Sequence, residues 1–400
     1  MTEDDRSGAG AAREPYSKRA RDVPSGGLVT LLGSDQARTA VDLATGTPAA
    51  PKPADQLVDA ACSMLRAGVH QYEAPAGNAE LRSRIAGSFT TPADPDTEIT
   101  VTVGGTEALF VALLSIIDPG DEVVIFDPYY DNFLGSLALA GAIPRFVPLR
   151  APEWRFDPAE LAAAFTPRTK AVLLNTPHNP TGRVLDREEL DHLAALCEKW
   201  GALVISDEVY SAYTYDDHTH VSLADVPALA QRSIVVGSLS KSHALSGWRM
   251  GFLRAAPEHT RVLRQVHIAV TGGTAAPLQR AVVNSGVLEP GAWRPADELQ
   301  KARDRVIEIF SGIGLKCCRP QGGCYVMADV RPVTNGDCHD FATALLDHAG
   351  VLVVPSTVLF AEPADGNAYV RIAFNKSETL IEEAARRIER ARRTWPLATV

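Results

Sequence analysis

The chain has 400 residues, of which 46% are apolar and 22% charged, a composition of globular rather than disordered proteins. Lys plus Arg number 39 against 49 Asp plus Glu, so the formal charge of −10 argues against nucleic-acid binding by bulk electrostatics. No apolar run approaches the ~20 residues of a membrane span, and the polar start MTEDDRSGAGAAREPYSKRARD lacks a signal-peptide core.

At about 150 residues per domain, two or three domains are expected, or one large α/β domain with an accessory lobe. The six cysteines show no CxxC spacing, so a reduced, cytoplasmic protein without a metal site is expected. The ten histidines show no HExxH pattern, and His218 and His220 in DDHTH are read as solvated.

Residues 1–25 are rich in Gly, Ala, Ser and charge and read as a flexible arm. Then short β-branched runs alternate with helical patterns. The strand-like ITVTV (99–103) precedes TEALFVALLSIID (106–118), and DEVVIF (121–126) precedes NFLGSLALAG (132–141). KAVLLN (170–175) precedes REELDHLAALCEKWG (187–201), with Leu190, Leu193, Ala194 and Cys197 at helical spacing and Gly201 as C-cap. ALVISDEV (202–209) and SIVVGSLS (233–240) are further apolar runs. This alternation predicts a mostly parallel sheet covered on both faces, with ligands at the carboxyl ends of its strands.

Beyond about residue 290 the pattern changes. ELQKARDRVIEIFSGIG (298–314) reads as an amphipathic helix, CYVMADV, VLVVPS and AYVRIAF as strands, and SETLIEEAARRIERARR (377–393) as a closing helix. The expected fold is a large three-layer α/β domain over 55–285, plus a smaller α+β domain from 26–54 and 286–400.

Unusual chemistry clusters in the loops after the strands: GGTE, DPYYD, NTPHNPTG, SDEVY and SLSK. Lys241 follows an apolar strand, where burying an ammonium is costly. A surface lysine explains it alone; an amine that forms a Schiff base with a carbonyl cofactor is the alternative. Arg249, in SGWRMG, suits bidentate phosphate binding. Ser238 and the turn Gly104-Gly105-Thr106-Glu107 at a helix N-terminus would complete a phosphate cup. Asp207 reads either as a helix cap or as a carboxylate held against a ring nitrogen. Tyr210 and Asn179 read as donors to a ring oxygen or as ordinary turn residues. Tyr130 could stack on a planar ring. Arg371 reads as an exposed edge-strand arginine or as a fork for a substrate carboxylate.

The order of NTPHNPTG, SDEVY, SLSKSHALSGWRMG and YVRIAF resembles the fold-type I pyridoxal-phosphate enzymes of the class I/II aminotransferase family, from about Val41 to the final helix. The resemblance is to aspartate- and kynurenine-aminotransferase-like members, with aminocyclopropane-carboxylate synthase as a relative. It implies pyridoxal 5'-phosphate as cofactor and Lys241 as the aldimine-forming base. It implies Asp207 on the pyridinium nitrogen, Tyr210 and Asn179 on the phenolic oxygen, and Tyr130 on the ring face. Gly105, Thr106, Ser238 and Arg249 would bind phosphate. Arg371 would grip the substrate carboxylate, and Gly46 and Asn175 would line the substrate side. Tyr72, in HQYEAPAGNAELR, matches a tyrosine that reaches the phosphate of a neighbouring subunit, which implies a homodimer with shared sites.

The implied reaction is exchange of an amine between an L-amino acid and a 2-oxo acid. The alternative is γ-elimination, γ-replacement or cyclisation on the same scaffold, for example on S-adenosylmethionine. A transcription regulator of this fold is not expected, because no basic DNA-binding domain precedes residue 40. The chain departs from the family pattern at Gly46-Thr47-Pro48-Ala49-Ala50, Thr271-Gly272-Gly273-Thr274, Cys324 and Pro355–Phe360. These positions tend to border the substrate side chain, so an individual substrate pocket is expected.

Overall fold

Alternate residues of the central strands enter two separate cores, as a period of two requires in a sheet buried on both faces. The computed structural model describes residues 15–24, 39–48, 52–289, 291–292 and 295–393. Strand β1 is Val41–Asp42. The central strands are β2 (Ile99–Val103), β3 (Glu122–Asp127), β4 (Ile143–Pro148), β5 (Thr169–Asn175), β6 (Leu203–Asp207), β7 (Ser233–Ser238) and β8 (Met250–Ala255). They form one seven-stranded sheet in the order β2-β8-β7-β6-β5-β3-β4. β8 alone runs opposite to the other six strands.

Val123, Ile125, Ala171, Leu173 and Ile205 pack under helices Gly104–Ile116, Asn132–Ala140 and Pro257–Thr271. The intervening Val124, Phe126, Val172, Leu174 and Val204 pack on the opposite face with Leu190, Leu193, Ala194 and Cys197 of helix Arg187–Trp200. That helix starts with a capping box between Asp186 and Glu189 and ends at left-handed Gly201, as its sequence predicts. The resulting architecture is the expected three-layer α/β arrangement. Strands β4 and β8 lie outside the predicted apolar runs. IPRFVP alternates exposed and half-buried residues at the sheet edge, and MGFLRA is interrupted by an arginine.

The later residues build strands β9 (Lys316–Cys318), β10 (Tyr325–Asp329), β11 (Val351–Leu352), β12 (Val354–Pro355) and β13 (Tyr369–Ala373). A second, antiparallel sheet has the order β12-β13-β10-β9. VLVVPS is therefore not one strand: β11 pairs parallel with β1, whereas β12 pairs with β13. The Val41↔Val351 register ties the chain's early segment to this later sheet. Helices Ala296–Gly312, Cys338–Ala349 and Glu378–Arg392 bury Val306, Phe310, Phe341, Leu345, Ile381 and Ile388 against it.

Of the expected arm, residues 15–24 contain one exposed helical turn, Lys18–Arg21; residues 1–14 and 25 lie outside the described residues, as do 26–38 of the expected smaller domain. His220 is not solvated. Its side chain is buried and its Nε2 lies 3.0 Å from Glu208 Oε2. Among the described residues no helix is long and apolar enough to cross a membrane, and no cluster of three or more His, Cys, Asp or Glu is set to hold a metal ion.

Candidate active site

Strand register sets the level of the site. Asn175 pairs with Asp207, and Asp207 with Val236, so β5, β6 and β7 end side by side. The loops that follow them open into one cavity of about 340 Å³. It is lined by every expected site residue except Tyr72: Gly46, Gly105, Thr106, Tyr130, Asn175, Asn179, Asp207, Tyr210, Ser238, Lys241, Arg249 and Arg371.

Lys241 sits in the short helix Leu239–Ser242 that directly follows β7. Its Nζ donates to the Gly46 carbonyl at 2.8 Å. Burial pushes the Lys241 amine below its ordinary range; Cys324 opposes this, and the cations Arg371, Lys376 and Arg249 reinforce it. Such an amine is readily neutral, as a nucleophile or proton carrier requires.

Asp207 ends β6, and no helix follows for it to cap. Burial raises its carboxyl to about 7, with Glu208 adding to the rise and Lys241 and the Val209 N–H opposing it. Asn175 Nδ2 donates to the Asp207 carbonyl at 2.9 Å, and Asn175 Oδ1 accepts from the Asn179 N–H at 2.6 Å. One asparagine thus locks the NTPHNPTG turn to the Asp207 strand. Burial also raises the Tyr210 hydroxyl well above its usual range, so it acts as a donor.

At the other end, helix Gly104–Ile116 begins with no side-chain cap on its first turn. Its free N–H groups and dipole favour an anion beside Gly105 and Thr106. A Cβ on Gly104 would come within 2.5 Å of Arg249 Nη2, so this glycine makes room for the guanidinium. Gly104 and Arg249 both adopt left-handed backbone, at φ 73° and 54°. For an arginine this is an uncommon conformation of the kind that gathers at functional sites. Arg249 Nη1 donates to the Ser246 carbonyl at 2.9 Å. Ser238 Oγ donates to the Met250 carbonyl and accepts the Ser240 N–H.

Arg371 comes from β13, an interior strand of the second sheet, so it is not an edge arginine facing solvent. It is 1% exposed. Its Nη1 donates to Asn179 Oδ1 at 3.1 Å and its Nη2 to the Ala44 carbonyl at 3.3 Å, while its buried Nε has no partner.

Three residues escaped sequence reasoning. Tyr325 lines the cavity, with the Arg371 guanidinium over its ring. Asn375 Nδ2 donates to the same Gly46 carbonyl as Lys241, at 2.9 Å. Buried Lys376 donates to Asp42 Oδ2 and Thr45 Oγ1, both at 3.1 Å. Together the last two hold the Asp42–Gly46 segment. The available signal was position: Asn375 and Lys376 directly follow AYVRIAF, and Tyr325 is a diagonal neighbour of Arg371 once Met327 pairs with it.

Of the positions expected to border the substrate, Gly46 and Thr47 line the cavity, and Ala49 and Ala50 lie outside the described residues. Gly272 and Gly273 are instead a helix terminus, and Cys324 is buried beside the site rather than lining it. Tyr72 is 97% exposed.

A family model for aminotransferase class I and II matches residues 38–388. The chain belongs to that family. This aminotransferase is 35% identical over 381 residues to a probable N-succinyldiaminopimelate aminotransferase of Mycobacterium tuberculosis, covering 90% of this chain and 93% of the relative. It is 32% identical to human kynurenine–oxoglutarate transaminase 1, over 72% of this chain and 76% of that protein. The solved N-succinyldiaminopimelate aminotransferase from M. tuberculosis superimposes with a TM-score of 0.88 at 32% identity, covering 94% of this chain and all (100%) of that one. A methionine aminotransferase from Escherichia coli does so with 0.87 at 29% identity, covering 94% and 99%. These relatives are named for amino-group transfer, so elimination, replacement or cyclisation on the same scaffold is not favoured.

Proposed function

We propose that the cavity binds pyridoxal 5'-phosphate and moves the amine of an L-amino acid to a 2-oxo acid. The observation that carries this reading is convergence. A half-buried amine, a buried carboxyl and a buried guanidinium reach one cavity from two different sheets. The donor set fits the cofactor: uncapped helix N–H groups and Arg249 suit its phosphate, and Asp207 suits its ring nitrogen. When bound, the cofactor supplies an electron-withdrawing ring that stabilises negative charge at the substrate Cα.

The residues of the chain do the rest. Lys241 Nζ would hold the cofactor through its carbonyl carbon and is placed to carry the proton of the substrate Cα. The Gly46 carbonyl orients that amine between the two tasks. Asp207 would hold the cofactor's ring nitrogen, whose positive charge would offset the cost of burying an ionised carboxylate. Tyr210 and Asn179 would donate to the phenolic oxygen, and Tyr130 would cover the ring face. Gly105, Thr106, Ser238 and Arg249 would hold phosphate. Arg371 binds the α-carboxylate, directed by Asn179 and supported by Tyr325.

We further propose a large domain over 55–285 and a smaller one from 26–54 and 286–400. We propose a homodimer in which Tyr72, exposed in the single chain, enters the partner's site. The six free cysteines suit a reducing cytoplasm.

The test is a half-reaction. The loaded enzyme is mixed with single amino acids and no oxo acid, and the bound cofactor is extracted. Conversion to pyridoxamine phosphate, reversed by 2-oxoglutarate or pyruvate, is expected and names the donor. Turnover of an amino acid with the cofactor unchanged would overturn the reading in favour of elimination or cyclisation.

A further inference from the structure

Under the expected phosphate cup lies a buried glutamate–histidine pair with no role in the steps above. Glu107 follows Thr106 in the first turn of helix Gly104–Ile116 and is buried. His267, on helix Pro257–Thr271, is 0% exposed. Its Nδ1 lies 2.6 Å from Glu107 Oε1, and its Nε2 lies 2.9 Å from the Pro75 carbonyl.

The partners assign the protons. A carbonyl only accepts, so Nε2 carries a hydrogen. Glu107 acts as an acceptor throughout: Oε2 takes the Val103 N–H at 2.5 Å and Oε1 takes the Thr271 hydroxyl at 3.1 Å. Nδ1 faces the same carboxyl, so one proton is shared between His267 Nδ1 and Glu107 Oε1, and the pair carries no net charge.

The placement has an electrostatic consequence. A helix N-terminus attracts one anion strongly, and an uncompensated Glu107 would occupy that field next to the phosphate. In a low-dielectric interior the two negative charges would repel. The second contact has a mechanical consequence. Pro75 lies between Tyr72 and Gly77, and the next residue, Ala76, accepts the Val101 N–H of β2 at 2.9 Å. His267 therefore clamps the segment carrying Tyr72 to the helix carrying Gly105 and Thr106.

We infer that His267 is a positioning residue for the phosphate cup: it neutralises Glu107, so that the first helical turn keeps a net positive field, and fixes the Tyr72 segment against that turn. The inference rests on the reading that this cup takes the phosphate of pyridoxal 5'-phosphate.

The experiment measures affinities of the cofactor-free full chain for pyridoxal 5'-phosphate and for pyridoxal, which lacks the phosphate. His267→Gln should weaken the phosphorylated ligand roughly tenfold and leave pyridoxal unchanged. Adding Glu107→Gln to that variant should recover most of the loss, a rescue that lost packing would not give. Equal losses for both ligands, no loss, or no rescue would each overturn the inference. If His267→Gln does not fold, nitrogen-15 spectra of the wild-type histidines decide instead. A hydrogen on Nε2 of His267 is expected, and a ring whose Nε2 carries none would overturn the proton assignment. Arg249→Ala separates the underlying reading. If it leaves affinity for pyridoxal 5'-phosphate unchanged, the cup itself is wrong, whatever His267 does.

Discussion

The guanidinium of Arg371 lies over the face of Tyr325, 4.1 Å from the ring centroid. The planar cation is held flat by the ring and pointed by Asn179 Oδ1 at 3.1 Å. A carboxylate would find a pre-oriented fork rather than a flexible charge.

Arg371→Ala should weaken donor binding by about 2 kcal/mol or more, ~30-fold, the cost of a charge-assisted pair. Arg371→Lys keeps the charge but loses the fork and the stack, and should recover little of this. Dissociation constants of a carboxylate-bearing substrate analogue for the loaded enzyme check both. Unchanged affinity in the alanine variant would remove Arg371 from the site.

Lys241→Ala should abolish covalent retention of the cofactor. After borohydride treatment, wild-type protein should carry a cofactor adduct on the peptide containing Lys241, detected by mass. An adduct on another lysine, or one that survives in the variant, would sink the assignment.

Asp207 makes the cofactor-free protein sensitive to pH in a known direction. Its folded-state value of about 7 lies above its ordinary 3.8, so the neutral carboxyl favours folding. That contribution is complete below about pH 4 and is lost as pH rises through about 7, by at most roughly 4 kcal/mol. Asp127, raised to about 6 by burial, acts in the same sense. Asp207→Asn should therefore flatten, but not abolish, the fall in urea stability of the cofactor-free chain across this window. A variant profile that parallels the wild type would contradict the assignment.

Gly46 has no room for a side chain, because a Cβ there would overlap the Tyr325 hydroxyl. Gly46→Ala should displace the carbonyl that receives Lys241 and Asn375, lowering kcat/KM by about 10- to 100-fold, as overpacking of 1–3 kcal/mol implies. Tyr325→Phe removes the nearest clashing atom and should restore part of the loss in the double variant. Full activity of Gly46→Ala would show that this segment is not held as described.

The proposed homodimer with shared sites predicts complementation. Tyr72→Phe and Lys241→Ala should each impair the homodimer, yet mixed dimers should regain activity in the site that pairs one chain's Lys241 with the other chain's Tyr72. A monomer by sedimentation, or no gain on mixing under subunit exchange, would rule out that role for Tyr72.

By itself, the sequence determined the layered α/β core, because apolar runs and helical spacing are local signals. It also marked the strand-end loops, because each motif is contiguous, and these loops meet at one cavity. The two-sided burial at the centres of β3, β5 and β6 follows from the apolar runs VVIF, AVLL and LVI within them. Edge strand β4 and antiparallel β8 escaped notice, because half-exposed or interrupted strands carry little pattern. Nor could local pattern show that VLVVPS divides between two sheets, since pairing partners are chosen across long stretches of chain. Tertiary structure alone decided which residues orient the loops. Gly46 meets Lys241 across 195 positions, Arg371 meets Asn179 across 192, and His267 meets Glu107 across 160. Such pairs have no local spacing: packing of one sheet's segments against the other's joins the first two, and packing of two helices on the central sheet joins the third.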